Sequence, residues 1–315
     1  MTKTFKPIDL SGVKTYSLSE RKNRVATSDF AGTWQKGANI RAFFNCLPDV
    51  LAGAHLKAVI SSIATAVNNK KTVVLAMGAH VIKVGLNPVV IDLMERGILT
   101  AVAMNGAGII HDLEIAMAGQ TSEDVAASIG NGSFGMAYET NSFLSDATHL
   151  AGQTSAGLGE SVGRKIIEKK LPFMDQSIFA AGARLGIPVT VHVAMGTDTI
   201  HLHPEFDPEV TGAASYRDFR TFASVIATLE GGVYLNVGSA VILPEVFLKA
   251  VTLARNLGNV LDNFTTVNMD FIKHYRPVTN VVNRPTARGG QGFNLTGHHE
   301  IMLPLLAAGV IEEIG

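Results

Sequence analysis

The residues with the clearest capacity for chemistry lie in VHVAMGTDTIHLH, which follows a short predicted strand. His192, Asp198, His201 and His203 could ligate a metal ion, because imidazole and carboxylate groups are common zinc ligands. The same side chains could serve as acids and bases in a polar pocket, since histidine titrates near neutral pH. In an extended segment, alternate side chains point the same way, so His201 and His203 would also share one face of a loop that binds no ion. Their roles would then be structural. The spacing leaves these three interpretations open.

A second candidate segment is NGAGIIHDLE, residues 105–114, which follows another predicted strand and opens a helix. Glycines let the backbone approach a phosphate, and a helix N-terminus favours an anion. The spacing departs from the G-x-G-x-x-G fingerprint, so a phosphate cradle and a plain turn explain it equally well. His111 and Asp112 fall in the first helical turn and are candidate catalytic residues. Asp112 could instead stabilise only the helix dipole.

Two further glycine-rich segments could contact a ligand. Gly238-Ser239-Ala240 ends a predicted strand and could cradle a phosphate or ribose, or form an ordinary strand-to-helix turn. The segment 284–292 (RPTARGGQG) carries two arginines that could clamp an anion. Its composition is more typical of a solvated surface loop. His298-His299-Glu300 begins the last predicted helix, where capping or solvent exposure accounts for it.

Composition excludes several classes of protein. The chain has 315 residues, of which 47% are hydrophobic and 17% are charged, with a net charge of −1. Disorder is excluded because there is ample apolar surface to bury, and the charge balance gives no footprint for nucleic acid or an anionic membrane. No apolar run reaches the roughly 18 residues that span a bilayer, and MTKTFKPIDL lacks the core of a signal peptide. Cys46 stands alone, so we expect a cytoplasmic protein without disulfides.

The mean hydropathy of +0.24 is high for a monomer with so few charges. Apolar surface that charges cannot cover is commonly buried between copies of one chain. We therefore expect a homo-oligomer that binds a small molecule, and neither nucleic acid nor a membrane.

The elements that must position these residues alternate between strands and helices. The pattern predicts strands at 72–77, 99–104, 189–194, 233–237 and 264–271, the last being the final strand. It predicts helices at 52–68, 87–96, 175–185, 216–230, 243–257 and 298–314, and a further helix through Glu114 and Met117 that ends at Gly119. Such alternation is typical of an α/β protein with a doubly wound, Rossmann-like, mostly parallel sheet and helices on both faces. We divide the chain into a polar lead-in, 1–50, and a single domain, 51–315.

Several segments together resemble the deoxyhypusine synthase family, and most closely its bacterial relatives. They are GAHVIKVGLNPVVIDLMERG, AVAMNGAGIIHDLEIAMAG, TSEDV and GSFGMAYET, all between residues 78 and 140. The resemblance extends more thinly from about residue 40 to the end. It implies a Rossmann-like fold, a homotetramer with sites at dimer interfaces, and NAD as cofactor. In that family, a polyamine such as spermidine is oxidised by NAD, and an active-site lysine captures the aminobutyl fragment as an imine before its transfer to an acceptor amine.

The resemblance also implies site residues. The positions that match NAD-contacting turns of the family are Ala79, His80, Lys83, Asn105, Gly106, Ala107, Gly238 and Ser239. The acid at the start of the family's helix falls on Asp112, and Asp198 takes the place of an aspartate near the nicotinamide. Together with His111, His201 and His203, these acids form the predicted catalytic set.

The chain departs from the family where the transferase chemistry is carried. The family's Trp-Gly-Lys motif and acidic loop are missing, and no lysine follows Lys273. We therefore expect an NAD-binding enzyme that acts on an amine, polyamine or other small polar substrate with diverged chemistry. The family transfer would require a substitute such as Lys83 or Lys273. The alternatives are a metal-assisted hydrolase built on 192–203, and an inactive structural or regulatory oligomer.

Overall fold

The computed structural model describes residues 3–314, and its centre is a six-stranded, wholly parallel sheet. The strands are β1 (Val73–Met77), β2 (Ala101–Asn105), β3 (Val189–His192), β4 (Val233–Val237), β5 (Thr265–Asp270) and β6 (Gln291–Thr296). Their order in the sheet is β3-β2-β1-β4-β5-β6. The direction of winding reverses between β1 and β4, the point at which doubly wound sheets open a crevice for ligands.

Helices cover both faces of the sheet. They are α1 (Ile40–Cys46), α2 (Leu51–Asn68), α3 (His80–Lys83), α4 (Asn87–Glu95), α5 (Gly106–Ala118), α6 (Val125–Ser128), α7 (Tyr138–Thr154), α8 (Leu158–Glu168), α9 (Ile178–Leu185), α10 (Pro208–Ile226), α11 (Ile242–Asn256), α12 (Tyr275–Pro277) and α13 (His299–Ile314). In β1, Val73, Leu75 and Met77 belong to the larger apolar core, whereas Val74 and Ala76 belong to the smaller one beneath α10 and α11. Because successive side chains of a strand point to opposite faces, both faces are buried.

The predicted fold class is confirmed. The strands expected at the first four positions are present within a few residues, as are α2, α4, α5, α11 and α13. Gly119 adopts a left-handed conformation (φ 69°) and ends α5, as its position after the periodic run predicts.

Two expectations about the C-terminal third were wrong. The strand predicted at 264–271 is not the last one, because β6 follows it and pairs in parallel with it, Thr265 opposite Gln291 and Asp270 opposite Thr296. The segment predicted as a loop, 284–292, therefore enters an edge strand, after a π-helical turn at Val278–Asn283. QGFNLT has few β-branched residues and is largely exposed, so the local pattern carries little strand signal.

The starts of two other helices differ from the predicted ones, because the capping residue and not the apolar periodicity sets where a helix begins. The helix predicted from residue 216 is α10, which begins at Pro208 after the side chain of Asp207 accepts a hydrogen bond from Val210 N. The helix predicted from 175 is α9, which begins at Ile178. Helices α7 and α8 lie in the Gly/Ser/Thr-rich middle of the chain and were not predicted.

The N-terminal segment 3–39 has no strand and only two 3-10 turns, and nearly all of it is exposed. The next element, α1, packs against α13 and buries Phe44. Among residues 3–314, no helix is long and apolar enough to cross a membrane.

Candidate active site

The turns after β1 and β4 meet at the point where the winding reverses. Gly78 N donates to the carbonyl of Val237 at 2.9 Å. A Cβ atom on Gly78 would lie 2.3 Å from the carbonyl oxygen of Gly238, so only glycine permits this approach. Gly238 has φ +66°, and the ring of His299 packs against it, 2.7 Å from where a Cβ would stand. The two turns and His299 thus form one close-packed floor.

The cofactor-binding residues predicted from the sequence gather around this floor. His80 lies beside His299, with ring centroids 5.5 Å apart, and Ser239 Oγ accepts a hydrogen bond from Leu243 N at the start of α11. At the neighbouring end of β2, Asn105 caps α5 by accepting from Gly108 N at 3.2 Å. Lys83 and Ala107 line a pocket next to this turn.

Asp198 reaches the end of β2 from far along the chain. Its carboxylate packs so closely on Gly106 that a Cβ there would lie 1.9 Å from Oδ2. Oδ2 is buried and has no hydrogen-bond partner among the described residues. Burial raises the pKa of Asp198 above its usual value, although His201 and Thr197 partly oppose this. An unpaired buried acceptor is costly, so a hydroxyl or amine group that donated a hydrogen bond to Oδ2 would remove this cost.

The pocket between α5, α6 and the loop that carries Asp198 has a volume of about 210 Å³. Its lining includes His111, Glu114, Glu123, Asp198 and one lysine, Lys83, beside apolar side chains of which Ile110 and Phe134 are examples. The volume is below the roughly 300–1,000 Å³ typical of drug-sized ligands, so the pocket suits a small molecule. Three carboxylates against one ammonium group favour a cationic substrate.

His111 is held at this pocket by a chain of hydrogen bonds. Thr121 Oγ1 donates to Glu114 Oε2 and lies 2.7 Å from His111 Nδ1. Burial alone would raise the pKa of Glu114, but the neighbouring His111 and the hydrogen bond from Thr121 lower this pKa below its usual value, which favours the carboxylate form. Because the single hydroxyl proton of Thr121 goes to Glu114, the hydroxyl must accept from Nδ1–H of His111. The basic lone pair of neutral His111 is then on Nε2.

The other predicted catalytic residues hold the scaffold. His201 Nδ1 accepts from the backbone N–H groups of Gly196 and Asp198, at 3.2 and 3.1 Å. His203 Nε2 lies 3.2 Å from the carbonyl of Gly135. These contacts fix the loop that presents Asp198. Within residues 3–314, no three His, Cys, Asp or Glu side chains are grouped as metal ligands, and the metal-hydrolase alternative is not favoured.

Asp112 is in the protein interior and not on the pocket. It is fully buried and accepts from Asn87 Nδ2, from Ser177 Oγ and from the backbone N–H groups of Ile178 and Phe179 at the start of α9. Burial raises its pKa to about 6, which these hydrogen bonds partly counteract. Asp112 therefore ties α5 to α9, and the structure does not bring it together with the other predicted catalytic residues at the pocket.

Asp112→Asn should lower the free energy of unfolding by about 2 kcal/mol, because an amide nitrogen would face donors that now reach a carboxylate. NAD affinity of the folded variant should stay unchanged. Urea denaturation and calorimetry measure the two quantities, with Asp175→Asn, at an exposed site, as the control. If Asp112→Asn were as stable as the parent protein but inactive, Asp112 would have a catalytic role.

His192 should make the protein sensitive to acid. It is buried, its Nε2 lies 3.0 Å from Thr190 Oγ1, and burial lowers its pKa to about 3. Below about pH 6.5 the unfolded chain binds a proton that the folded chain does not, so stability falls as pH falls from 6.5 towards 3. From pH 6.5 to pH 4 this group should cost roughly 3 kcal/mol. Denaturation curves at several pH values measure this effect. The free energy of unfolding of His192→Asn should fall less between pH 6.5 and pH 4 than that of the parent protein, by the amount given above. An equal fall in both proteins would show that His192 is not the cause.

Sequence reasoning missed three residues of this region. Thr121 and Glu114 appeared only within the segments TSEDV and NGAGIIHDLE, and His299 only as a cap or an exposed residue. His299 is in fact fully buried, with Nε2 3.9 Å from Asp270 Oδ1, and burial lowers its pKa. The i,i+3 spacing of His111 and Glu114 on one helix was the available signal.

Comparison with known proteins supports the fold. No protein-family model matches the sequence, and no curated protein matches it. Among solved structures, AgrE in ternary complex with ornithine and NAD⁺ is similar, with a TM-score of 0.54 and 14% identity over 84% of this chain and 34% of that one. A LOR/SDH-type protein from Methanococcus maripaludis S2 is also similar, with a TM-score of 0.51 and 15% sequence identity over 84% of this chain and 71% of that one.

A protein provisionally named deoxyhypusine synthase from Entamoeba histolytica gives a TM-score of 0.47 and 12% identity over 95% of this chain and 97% of that one. This chain spans about a third of the length of the AgrE chain. The fold is Rossmann-like. At these identities the comparisons establish the fold alone.

Proposed function

We propose that this chain binds NAD at the carboxyl edge of the sheet and uses it to oxidise a small amine held in the pocket beside α5. The observation that carries the proposal is the buried, unpartnered Oδ2 of Asp198 against Gly106 at the end of β2. In dinucleotide-binding folds an acidic side chain near this point accepts from a ribose hydroxyl. Here the strand itself ends in Asn105, and Asp198 supplies the carboxylate.

The glycine floor fits the same ligand. Gly78 and Gly238 pack against each other and against His299 where the winding reverses, and this is the point at which a pyrophosphate approaches in this class of fold. The solved structure of AgrE contains NAD⁺ on a similar fold. Ala79, His80, Lys83, Ala107 and Ser239 are the neighbouring residues that we assign to the cofactor.

The chain's own residues would handle the substrate. NAD, when bound, accepts a hydride from the carbon next to the amine nitrogen. Glu114, Glu123 and Asp198 would attract the ammonium form of the substrate into the pocket. His111 Nε2 would take the proton released from nitrogen, while Thr121 and Glu114 hold the ring and stabilise the imidazolium that results. Such a reaction is consistent with a diverged relative of the deoxyhypusine synthase family.

The first test is titration calorimetry of metal-stripped protein with NAD, with and without spermidine. We expect saturable NAD binding that spermidine strengthens. Asp198→Asn should weaken it about 10- to 100-fold, the value of a buried hydrogen bond to a charged group, whereas Asp175→Asn, at an exposed site, should not. Absence of NAD binding to the folded protein would overturn the proposal.

A second candidate function is the family's transfer of an aminobutyl group through a lysine imine, and the position of Lys83 supports it. This residue is the lysine that lines the pocket together with His111, whereas Lys273 is not part of that lining. After hydride transfer to NAD, the Lys83 amino group would add to the imine carbon, and the original amine would leave.

Borohydride reduction during turnover would convert such a lysine imine into a stable secondary amine. Mass spectrometry should then find the added carbon chain on the Lys83 peptide. Lys83→Arg should abolish the adduct and Lys273→Arg should retain it. Turnover of NAD without any adduct would leave simple amine oxidation as the function.

For its partners, we propose a homo-oligomer, as the low charge content suggests. We propose no role in binding nucleic acid or membranes.

A further inference from the structure

The two edges of the sheet differ in how their backbone groups are satisfied. At one edge, side chains of α10 cover β3, where Val191 N donates to Asp218 Oδ2 at 2.9 Å. Ser215 Oγ accepts from Val193 N at 3.0 Å and donates to the carbonyl of Val191 at 2.9 Å. These outward backbone groups are therefore satisfied within the chain. Proteins commonly cover an edge strand, because its unpaired backbone groups invite pairing with another chain.

The opposite edge of the sheet, β6, has no such cover. Gln291 N donates to the carbonyl of Phe264, so the backbone groups of Gln291 and of every second residue after it face β5. The N–H and C=O groups of Gly292, Asn294 and Thr296 point away from the sheet. Among residues 3–314, none of these six backbone groups has a hydrogen-bond partner. They form a row of donors and acceptors that another strand could use.

The sequence of β6 does nothing to block such pairing. QGFNLT contains no charged residue and no proline, which are the residues that natural proteins place on an edge strand to prevent association. Its register with β5 is continuous from Gln291 to Thr296, so no bulge turns the edge away. Gly292 and Thr296 are exposed, and Asn294 is half-buried. The open edge of β6 is therefore a candidate interaction surface.

We propose that β6 of one copy of this chain pairs in antiparallel fashion with β6 of a second copy, which joins two six-stranded sheets into one. A two-fold axis at Asn294 places this residue opposite its own copy and places Gly292 opposite Thr296. Every residue with outward backbone groups then faces another such residue, and each pair exchanges two hydrogen bonds. All six unpaired groups of each copy gain a partner, and the two-fold axis closes the assembly.

The side chains of β6 fit this register and favour a second copy as the partner. Phe293 of each copy would face Leu295 of the other at the non-hydrogen-bonded positions, where side chains come closest. Phe293 is half-buried in the single chain, so pairing would cover more of it. At its ends, the pairing brings Arg288 of one copy towards Glu300 of the other, and both side chains are exposed. The proposal rests on the homo-oligomer put forward above and requires neither NAD nor an amine.

Light scattering after size exclusion, over a dilution series of the full chain, tests the interface. Thr296→Pro removes an N–H that has no partner within the chain, and its ring occupies space that the second strand would need. Because the two-fold axis repeats the change, two hydrogen bonds are lost, and the dissociation constant should rise about 30-fold or more. Thr296→Ala keeps the N–H and is the matched control, which should associate as the parent protein does. Circular dichroism confirms that each variant is folded.

A disulfide at the two-fold axis locates the contact. In a Cys46→Ser background, Asn294→Cys should link two copies on mild oxidation. Opposed residues of a hydrogen-bonded antiparallel pair have Cα atoms about 5.5 Å apart, which a disulfide can span. Leu257→Cys in the same background, at an exposed site elsewhere, should not link them.

The outcomes separate this interface from the other proposals. An oligomer that Thr296→Pro leaves intact, or that forms no disulfide at position 294, would overturn the pairing of β6 and leave the homo-oligomer standing. A monomeric parent protein would overturn both. Because no cofactor is present in either experiment, neither result bears on the proposal of NAD binding.

Discussion

Gly78→Ala should unfold the floor of the site and remove NAD binding, with a loss of stability of about 3 kcal/mol or more. The added methyl group would stand 2.3 Å from the Gly238 carbonyl oxygen and 3.0 Å from its carbon. Both are backbone atoms, so no flexible side chain can yield. Overpacking of this kind costs about 1–3 kcal/mol, and more when the backbone must shift.

The neighbours of Gly238 leave it no direction in which to move. Gly238 N donates to the carbonyl of Met269 at 3.0 Å, and Gly78 N donates to Val237. Behind the turn lies the ring of His299, which is fully buried. Relief of the clash would therefore part β1 from β4 at the point proposed for the pyrophosphate.

Thermal or urea denaturation measures the stability, and calorimetry measures NAD binding. Gly130→Ala is the matched control, because a Cβ there meets nothing within 4 Å and its φ is not positive. It should change stability by less than about 0.5 kcal/mol. If Gly78→Ala were as stable as the parent protein and bound NAD equally well, the two turns would not form a rigid floor.

His111→Gln should lower amine-dependent reduction of NAD by 10²- to 10⁴-fold, the usual contribution of a general base. The proposed base is Nε2, because Nδ1–H donates to Thr121 and Thr121 donates to Glu114. The affinity for NAD should remain within about 2-fold, since His111 is assigned to the substrate and not to the cofactor. His149, which is exposed on α7, supplies the control substitution His149→Gln.

Two measurements separate a base from a merely structural histidine. Activity of His111→Ala should recover when imidazole is added, because free imidazole can occupy the space and accept the proton. Glu114→Gln should lower kcat more than it alters KM, since it removes the charge that stabilises the imidazolium. Full activity of His111→Gln, or a loss that imidazole does not restore, would contradict the assignment.

The sequence by itself determined the layered α/β fold and the glycine turns at the strand ends. Hydrophobic runs such as TVVLAM, with glycine directly behind them, encode a buried strand and its turn within a few residues. That information is local, so it can be read without the rest of the chain. Parallel strands also gather their carboxyl ends on one edge, so Gly78, Gly106 and Gly238 could be expected together.

The tertiary structure decided which polar residues reach that edge. Asp112 and His111 are adjacent in sequence, yet helix geometry sends one into the core against Ser177 and the other to the pocket. Asp198 meets Gly106 across 92 positions, and His299 meets Gly238 across 61. Periodicity fixes the neighbours within an element, whereas contacts between distant elements depend on packing of the whole chain. For that reason the sequence predicted the edge of the sheet and named His111 and Asp198 as candidates, whereas only the fold separated these two from the interior residue Asp112 and brought Glu114 and Thr121 to the pocket.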